Sequence, residues 1–89
     1  MYVHIGGEVV LLIPDIIGIF DARLIAGNSD NERFVERARA QGLMRFEVPV
    51  HDRKAVVVTT GGVYESAISP VTLVRRVTNA GTELARSDA

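Results

Sequence analysis

Few side chains in this sequence have the type and spacing needed for acid–base or nucleophilic chemistry. The two imidazoles belong to His4 and His51, and neither accompanies a G-x-S-x-G nucleophile motif. His4 alternates with the apolar Val3 and Ile5, so we interpret it as a structural or surface histidine on a strand. The carboxylates are scattered along the chain without the adjacent partner that acid–base catalysis would require. We therefore predict that the protein is not an enzyme.

Metal and cofactor sites also lack their usual ligands in this chain. There is no cysteine, and the two histidines do not form an H-x-x-x-H or H-x-H pair, so no zinc site is predicted. The glycine pairs Gly6-Gly7 and Gly61-Gly62 fit neither the P-loop nor the dinucleotide-binding motif. We interpret each pair as a hairpin turn, and we expect no metal, no cofactor and no small-molecule substrate.

The basic residues are the polar side chains whose pattern favours binding. Nine of the ten cations are arginines, which suit phosphate oxygens and the edges of bases. Arg53 and Lys54 end a predicted exposed turn that begins at His51. Arg75 and Arg76 are adjacent on a predicted helix. These five residues are our candidate nucleic-acid-binding site.

The overall charge gives no general attraction to DNA or to anionic lipid, because ten basic residues face eleven acidic ones for a net charge of −1. A DNA site would have to be a local patch that self-association repeats. Apolar residues and glycine together make up more than half of the chain, against ~45–50% in typical globular domains. The unbroken apolar run Val9–Ile13 indicates a strand covered on both faces, by a helix and by a neighbouring subunit. We therefore expect a homo-oligomer.

The elements that must position these residues begin with a β-hairpin. Tyr2–Ile5 and Glu8–Ile13 are rich in β-branched and aliphatic residues and flank the first glycine pair. Pro14-Asp15 interrupts the ladder, because proline has no amide hydrogen to donate, and Ile16–Phe20 is a third predicted strand.

A first helix is predicted over residues Asp30–Gln41. Ser29 begins the S-x-x-E spacing of a capping box, and Gly42 is the expected C-terminal stop. Its apolar face consists of Phe34, Val35 and Ala38, and its arginines, Arg33, Arg37 and Arg39, are interpreted as a solvated face paired with glutamates. Phe46–Val50 alternates weakly and is predicted as a short edge strand because it contains a proline.

The C-terminal half predicts a second hairpin and a second helix. Ala55–Thr60 and Val63–Ile68 are the strands, and the second glycine pair joins them. Ser69 as N-cap and Pro70 in the first turn mark a helix start, and Gly81 marks its end. The apolar face of this helix consists of Leu73, Val74 and Val77.

Together these elements predict one α+β domain of residues 1–81, built as a small antiparallel sheet of hairpins with two packed helices. Residues 82–89 are polar and small, and we predict a disordered C-terminal tail there. No basic segment precedes the longest apolar tract, residues 9–20, which is too short to cross ~30 Å of hydrocarbon. With no cysteine as well, we expect a cytoplasmic protein without a membrane segment.

Three segments of the chain, in this order, are similar to a known family. They are His4-Ile5-Gly6-Gly7-Glu8-Val9-Val10, then Pro14-Asp15-Ile16-Ile17-Gly18-Ile19-Phe20-Asp21, then Lys54-Ala55-Val56-Val57-Val58-Thr59-Thr60 continuing through Ser69-Pro70 to Arg75-Arg76-Val77. Over about residues 2–78 the sequence resembles the small bacterial regulators of extracellular matrix (biofilm) genes called RemA and RemB, and it is closer to RemB.

The resemblance implies an intracellular, non-enzymatic regulator of transcription that assembles into homo-oligomers. In the RemA branch the assembly is a ring that binds promoter DNA through arginines on each subunit. One such arginine stands at the position of Asp15 here, and a pair of them falls on His51 and Asp52, just before Arg53-Lys54. An aspartate in place of an arginine adds repulsion from phosphate to the loss of attraction.

Two functions from different classes remain open at this point. The first is a ring-forming DNA-binding regulator that uses Arg53 and Lys54, together with Arg75 and Arg76. The alternative is an oligomeric protein-interaction module that does not contact DNA. The two differ in salt dependence, because phosphate contacts give a steep fall of affinity with salt.

Overall fold

The architecture of the chain is α+β, as predicted, with six strands and two helices. The computed structural model describes the backbone of residues 1–88 and the side chains of residues 1–80. In chain order the elements are β1 (Tyr2–Gly6), β2 (Val9–Leu12), β3 (Ile16–Asp21), α1 (Ser29–Ala40), β4 (Met44–Phe46), β5 (Ala55–Thr59), β6 (Gly62–Ser66) and α2 (Pro70–Asp88). At the predicted tail of residues 82–89, the described backbone continues as α2 to Asp88, and Ala89 lies outside the described residues.

The strands form two sheets rather than a single one. β1 and β2 are a separate antiparallel hairpin, and the other four strands form a sheet in the order β3-β5-β6-β4. The ladders β3–β5 and β5–β6 are both antiparallel, and β5–β6 is the predicted second hairpin. β4 pairs with β6 in parallel, because α1 separates it from β3 and returns the chain to the far edge of the sheet. The prediction of a purely antiparallel sheet was therefore wrong at this one edge.

The central strand β5 is apolar at four of its five positions, and its side chains alternate between clusters on the two faces of the four-stranded sheet. Ala55 and Val57 face one cluster, in which the β1–β2 hairpin and Leu73 of α2 are buried. Val56 faces the opposite cluster, where Ala38 of α1 is buried. Near-continuous apolar sequence is what a strand covered on two faces requires. β5 is thus the central strand of the core.

The hairpin strand β2 is covered on one face only within this chain. Leu11 is buried against the sheet and α2, whereas Val10 and Leu12 on its outer face are exposed. The predicted cover of this strand by a helix is present on its inner face. Cover of its outer face by a neighbouring subunit stays a prediction.

Both helices begin with a side-chain cap, but the first cap is one residue earlier than predicted. Asn28 Oδ1 accepts a hydrogen bond from the Asn31 amide at 3.0 Å, so the N-cap is Asn28 and Ser29 is already helical. Asparagine and serine are nearly equal as N-caps, so the S-x-x-E pattern alone could not separate the two positions. Ser69 caps α2 as predicted, because its Oγ accepts from the Thr72 amide at 3.3 Å.

A glycine was predicted to end each helix, and this is correct for one of the two helices. α1 ends before Gly42, which has a φ of +72° as a left-handed C-terminal glycine requires. α2 continues past Gly81, so that predicted end was wrong. A single glycine costs a helix interior about 1 kcal/mol relative to alanine, which is too little to end a helix by itself.

Three further predictions of detail differ from the structure. β4 spans Met44–Phe46 instead of Phe46–Val50, although it does lie at a sheet edge. Phe34 and Val74, which were assigned to the apolar helix faces, are exposed. Their neighbours Val35 and Leu73 are buried as predicted.

Gly62 is required where β6 approaches the chain segment before β4. Its φ is +141°, and a Cβ at this position would lie 2.6 Å from the carbonyl oxygen of Leu43. The Val63 amide donates to that same carbonyl at 2.8 Å, which joins the two segments. No helix among the described residues is both long enough and apolar enough to pass through a bilayer.

Candidate nucleic-acid interface

The loop that contains three of the five predicted site residues leads into β5 and is held between β6 and the end of β3. Pro49 is followed by a short 3₁₀ turn at Val50–Asp52, in which the Asp52 and Arg53 amides donate to the Pro49 carbonyl at 2.9 and 3.1 Å. The Lys54 amide donates to Ser66 at 2.9 Å, and the Lys54 carbonyl accepts from Ala22 at 3.0 Å. The backbone at Lys54 is therefore fixed by strands on both sides.

Within this loop, His51 and Lys54 are exposed as predicted. The His51 side chain is largely in solvent, and its Nε2 lies 3.8 Å from the Asp52 carboxylate, close enough to pair only when the imidazole is protonated. Lys54 has no side-chain hydrogen bond or ion pair among the described residues. Its ammonium group is thus available to an external anion.

Arg53 is not the exposed turn residue that its sequence context indicated. Its side chain is 22% exposed, and its Nε lies 2.8 Å from Oε2 of Glu65, which is 1% exposed. The Nε–H is buried and does not align as a hydrogen bond, so the contact is a close ion pair. The other oxygen of Glu65 accepts from the Val48 amide at 3.0 Å. Arg53 and Glu65 therefore tie the loop to β6.

Arg53 and Lys54 line a shallow cleft of about 220 Å³ together with a third basic residue, which was not among the predicted site residues. That residue is Arg23, which follows β3, and the cleft also includes Ser69 and Pro70 at the start of α2. Arg23 gave no sequence signal, because it is a lone cation in a segment without basic neighbours. The β3–β5 pairing brings it beside Lys54.

Arg23 forms a forked ion pair with Asp21, which also lines the cleft. The guanidinium Nη2 donates to one carboxylate oxygen at 2.7 Å, and Nε lies 3.1 Å from the other. These side-chain hydrogen bonds, with a further one from the Arg23 amide, lower the pKa of Asp21 from 3.8 to about 2. Asp21 is therefore ionised at neutral pH and offsets one of the three cations of the cleft.

Arg75 and Arg76 lie on α2 and do not line this cleft. They are about 8 Å along the helix axis from Pro70, given a rise of ~1.5 Å per residue. Arg76 Nη1 donates to the carbonyl of His4 at 3.0 Å, which directs this side chain to the β1–β2 hairpin. Arg75 is exposed, with no ion pair or hydrogen bond to the described residues. The structure thus separates the predicted site into a cleft and a neighbouring helix face.

Two of the three arginines of α1 are paired with carboxylates, whereas Arg37 has no ion pair among the described residues, so the predicted paired surface is only partly present. Arg39 bridges Glu36 and Glu47 at 2.6 and 3.1 Å, and Arg33 lies 3.8 Å from Asp30. Such exposed pairs contribute little to stability, but they reduce the local positive charge. On this helix, Arg37 is exposed without an ion pair to the described residues, and the two other arginines are compensated.

Metal-ligating groups do not converge within the described residues, where no three His, Asp or Glu side chains could hold a metal ion together. In comparisons with known proteins, the chain matches no protein-family model, and no curated protein matches it either.

Proposed function

We propose that this protein is a non-enzymatic, self-associating regulator of the RemA/RemB type, which acts in the cytoplasm on transcription of extracellular matrix (biofilm) genes by binding DNA. The observation that supports the proposal best is the cleft where Lys54, Arg53 and Arg23 meet. A subunit with a net charge of −1 can attract DNA only through a local patch of this kind. Self-association would repeat the patch and multiply a weak contact.

Lys54 is the residue that would make the main phosphate contact. It is exposed and unpaired among the described side chains, and its backbone is fixed between two strands. Arg53 precedes it and is fixed by the buried Glu65. The role of Arg53 is therefore mainly to position Lys54, because its own charge is already paired with a carboxylate. Arg75 would add a second, separate contact from α2.

Two aspartates limit the strength of this interaction. Asp52 is next to the cationic residues of the loop. The carboxylate of Asp21 is already paired with the guanidinium of Arg23. Each negative charge opposes the approach of a phosphate. Binding of a single cleft to DNA is therefore weak, and detectable affinity depends on several copies that bind together.

A second candidate function is an oligomeric protein-interaction module that does not contact DNA. One observation favours it: the cations Arg23, Arg39 and Arg53 are already compensated by carboxylates within the chain. Exposed apolar side chains, in contrast, are numerous on the described surface. Protein partners recognise such surfaces through desolvation, with little dependence on salt.

The experiment that separates the two functions is a titration of duplex DNA with the full chain at several salt concentrations. DNA binding through Lys54 predicts a logarithm of affinity that falls linearly with the logarithm of salt, by ~0.9 for each phosphate neutralised. Absence of binding at low salt would contradict the DNA function and favour the protein-interaction module.

A further inference from the structure

An apolar groove lies open between α1 and the edge strand β3. It encloses about 510 Å³, and its lining includes Ile17, Phe20, Leu24, Phe34, Val56 and Val58. α1 covers the sheet near Ala38 and Val63, but it leaves the β3 side of the same face uncovered. The groove is thus the part of the core face that this chain does not fill by itself.

The rim of the groove exposes an unusual amount of large apolar surface for so short a chain. Ile17, Phe20, Leu24 and Phe34 are all exposed, and Ile17 is 68% exposed. At ~200 Å² for each large side chain, their exposed surface totals roughly 400 Å². A stable interface buries about 800 Å² on each partner, so these four side chains would supply about half of one.

The edge of β3 beside the groove has backbone groups free to pair. β3 is the first strand in the sheet order, and no described strand lies on its outer side. The Ala22 amide donates to the Lys54 carbonyl, in register with the β3–β5 ladder. Every second residue before it, Phe20 and then Gly18, therefore directs its N–H and C=O groups toward β5. By the alternation of antiparallel pairing, the N–H and C=O of Ile19 point outward.

The sequence of β3 lacks the features that usually prevent edge pairing. From Ile16 to Phe20 it has no charge and no proline; Asp15 precedes the strand, and Asp21, its last residue, is paired with Arg23. Proteins normally protect edges with lysine, proline or inward-pointing charge. The one irregularity is a bulge at Ile17, and the stretch that follows it is regular.

We infer that a second copy of this chain occupies this surface, with its own β3 paired antiparallel to β3 about a two-fold axis near Ile19. The inference deepens the self-association on which the proposed function rests. An axis perpendicular to the sheet keeps the same face on the same side, so the two grooves adjoin across the β3–β3 contact. The stretch Ile16–Phe20 carries no charge, so it pairs with itself without repulsion between like charges. This contact closes after two copies, and a ring would need a second, different surface.

The test compares the sedimentation mass of the wild type with two charge substitutions at equally exposed positions. Ile17→Lys places a charge on the groove rim at the edge, and it should sediment at no more than half of the wild-type mass, which is the 9.7 kDa monomer where the wild type is a dimer. Val71→Lys is the matched control, because Val71 is 69% exposed on α2, away from the groove, and it should keep the wild-type mass.

Amide hydrogen exchange gives a second measurement that does not depend on a variant. The Ile19 amide should be protected in the wild type at micromolar concentration and become unprotected on dilution, since only the partner strand can accept from it. A monomeric wild type, or an Ile17→Lys variant with the wild-type mass and a protected Ile19 amide, would overturn the inference. Neither result bears on DNA binding, which the salt titration tests separately.

Discussion

The carboxylate of Glu65 contacts Arg53 with one oxygen and the Val48 amide with the other, at 2.8 and 3.0 Å, while it is almost completely enclosed. A buried carboxylate is tolerated only when it is paired and hydrogen-bonded. Here the pairing fixes both ends of the segment between β4 and β5. The position of Lys54 at the cleft therefore depends on a residue of β6 that no DNA would touch.

Removal of this carboxylate should destabilise the fold. Glu65→Ala leaves the Arg53 cation and the Val48 amide without their partner, and we expect a loss of about 3 kcal/mol in the free energy of unfolding. Glu47→Ala is the control, because Glu47 also pairs with an arginine but at an exposed site, where about 0–1 kcal/mol is expected. Urea denaturation measures both values. Equal stability of the two variants would show that the Glu65 pair is not a structural tie.

The second glycine pair should respond unequally to alanine. Gly62→Ala places a Cβ 2.6 Å from the backbone at Leu43 in a left-handed conformation, so we expect about 2 kcal/mol of destabilisation or more. At Gly61 the nearest atom would be 3.9 Å away, and alanine should cost no more than ~0.5 kcal/mol. Thermal or urea unfolding checks the difference. A tolerant Gly62 would contradict the close packing of β6 against the segment before β4.

The pKa of Asp21 provides a local test of the cleft. Hydrogen bonds from Arg23 lower it from 3.8 to about 2, so ionised Asp21 adds stability above pH 3.8 that is lost as pH falls toward 2. Carboxyl NMR titration should give the low value in the wild type. In Arg23→Gln the pKa should move back toward 3.8, and stability should depend less on pH in that window. An unchanged pKa would mean that the forked pair does not persist in solution.

The first helix cap can be assigned by a pair of neighbouring substitutions. Asn28→Ala removes the oxygen that accepts from the Asn31 amide, and it should cost about 1 kcal/mol of stability. Ser29→Ala should have an effect within ~0.5 kcal/mol, because Ser29 is a first-turn residue and caps nothing. The reverse order in denaturation experiments would restore the capping box that the sequence predicted.

Local sequence signals predicted most of the elements of this fold. The glycine pairs, Pro14 and Ser69-Pro70 act through their own backbone chemistry, and they marked the two hairpins, the break before β3 and the start of α2. Each glycine pair was wrong by one residue, because the turns are Gly7-Glu8 and Thr60-Gly61, while Gly6 ends β1 and Gly62 begins β6. The parallel position of β4 did not follow from the sequence, because its strand direction depends on how α1 packs. Gly81 also failed as a helix end, because a glycine weakens a helix without being able to stop it.

The candidate site was less predictable than the fold. The sequence identified Lys54 and His51 as exposed, but it gave no indication that Arg53 pairs with Glu65, twelve residues later on a buried strand. Arg23 was missed for the same reason, since only the β3–β5 register places it in the cleft. Contacts between distant segments decide which cations are free, and a single sequence does not contain them.

The most direct test of the proposed function is the salt dependence of DNA binding in variants of Lys54 and Asp52. Lys54→Ala should weaken binding and reduce the salt slope by ~0.9 for each subunit that contacts DNA, whereas Asp52→Arg should strengthen binding. Arg37→Ala removes the same charge from the exposed face of α1, outside the cleft, and should leave the slope unchanged. If neither Lys54→Ala nor Asp52→Arg alters affinity or slope, the cleft does not bind DNA, and the protein-interaction module replaces the proposed function.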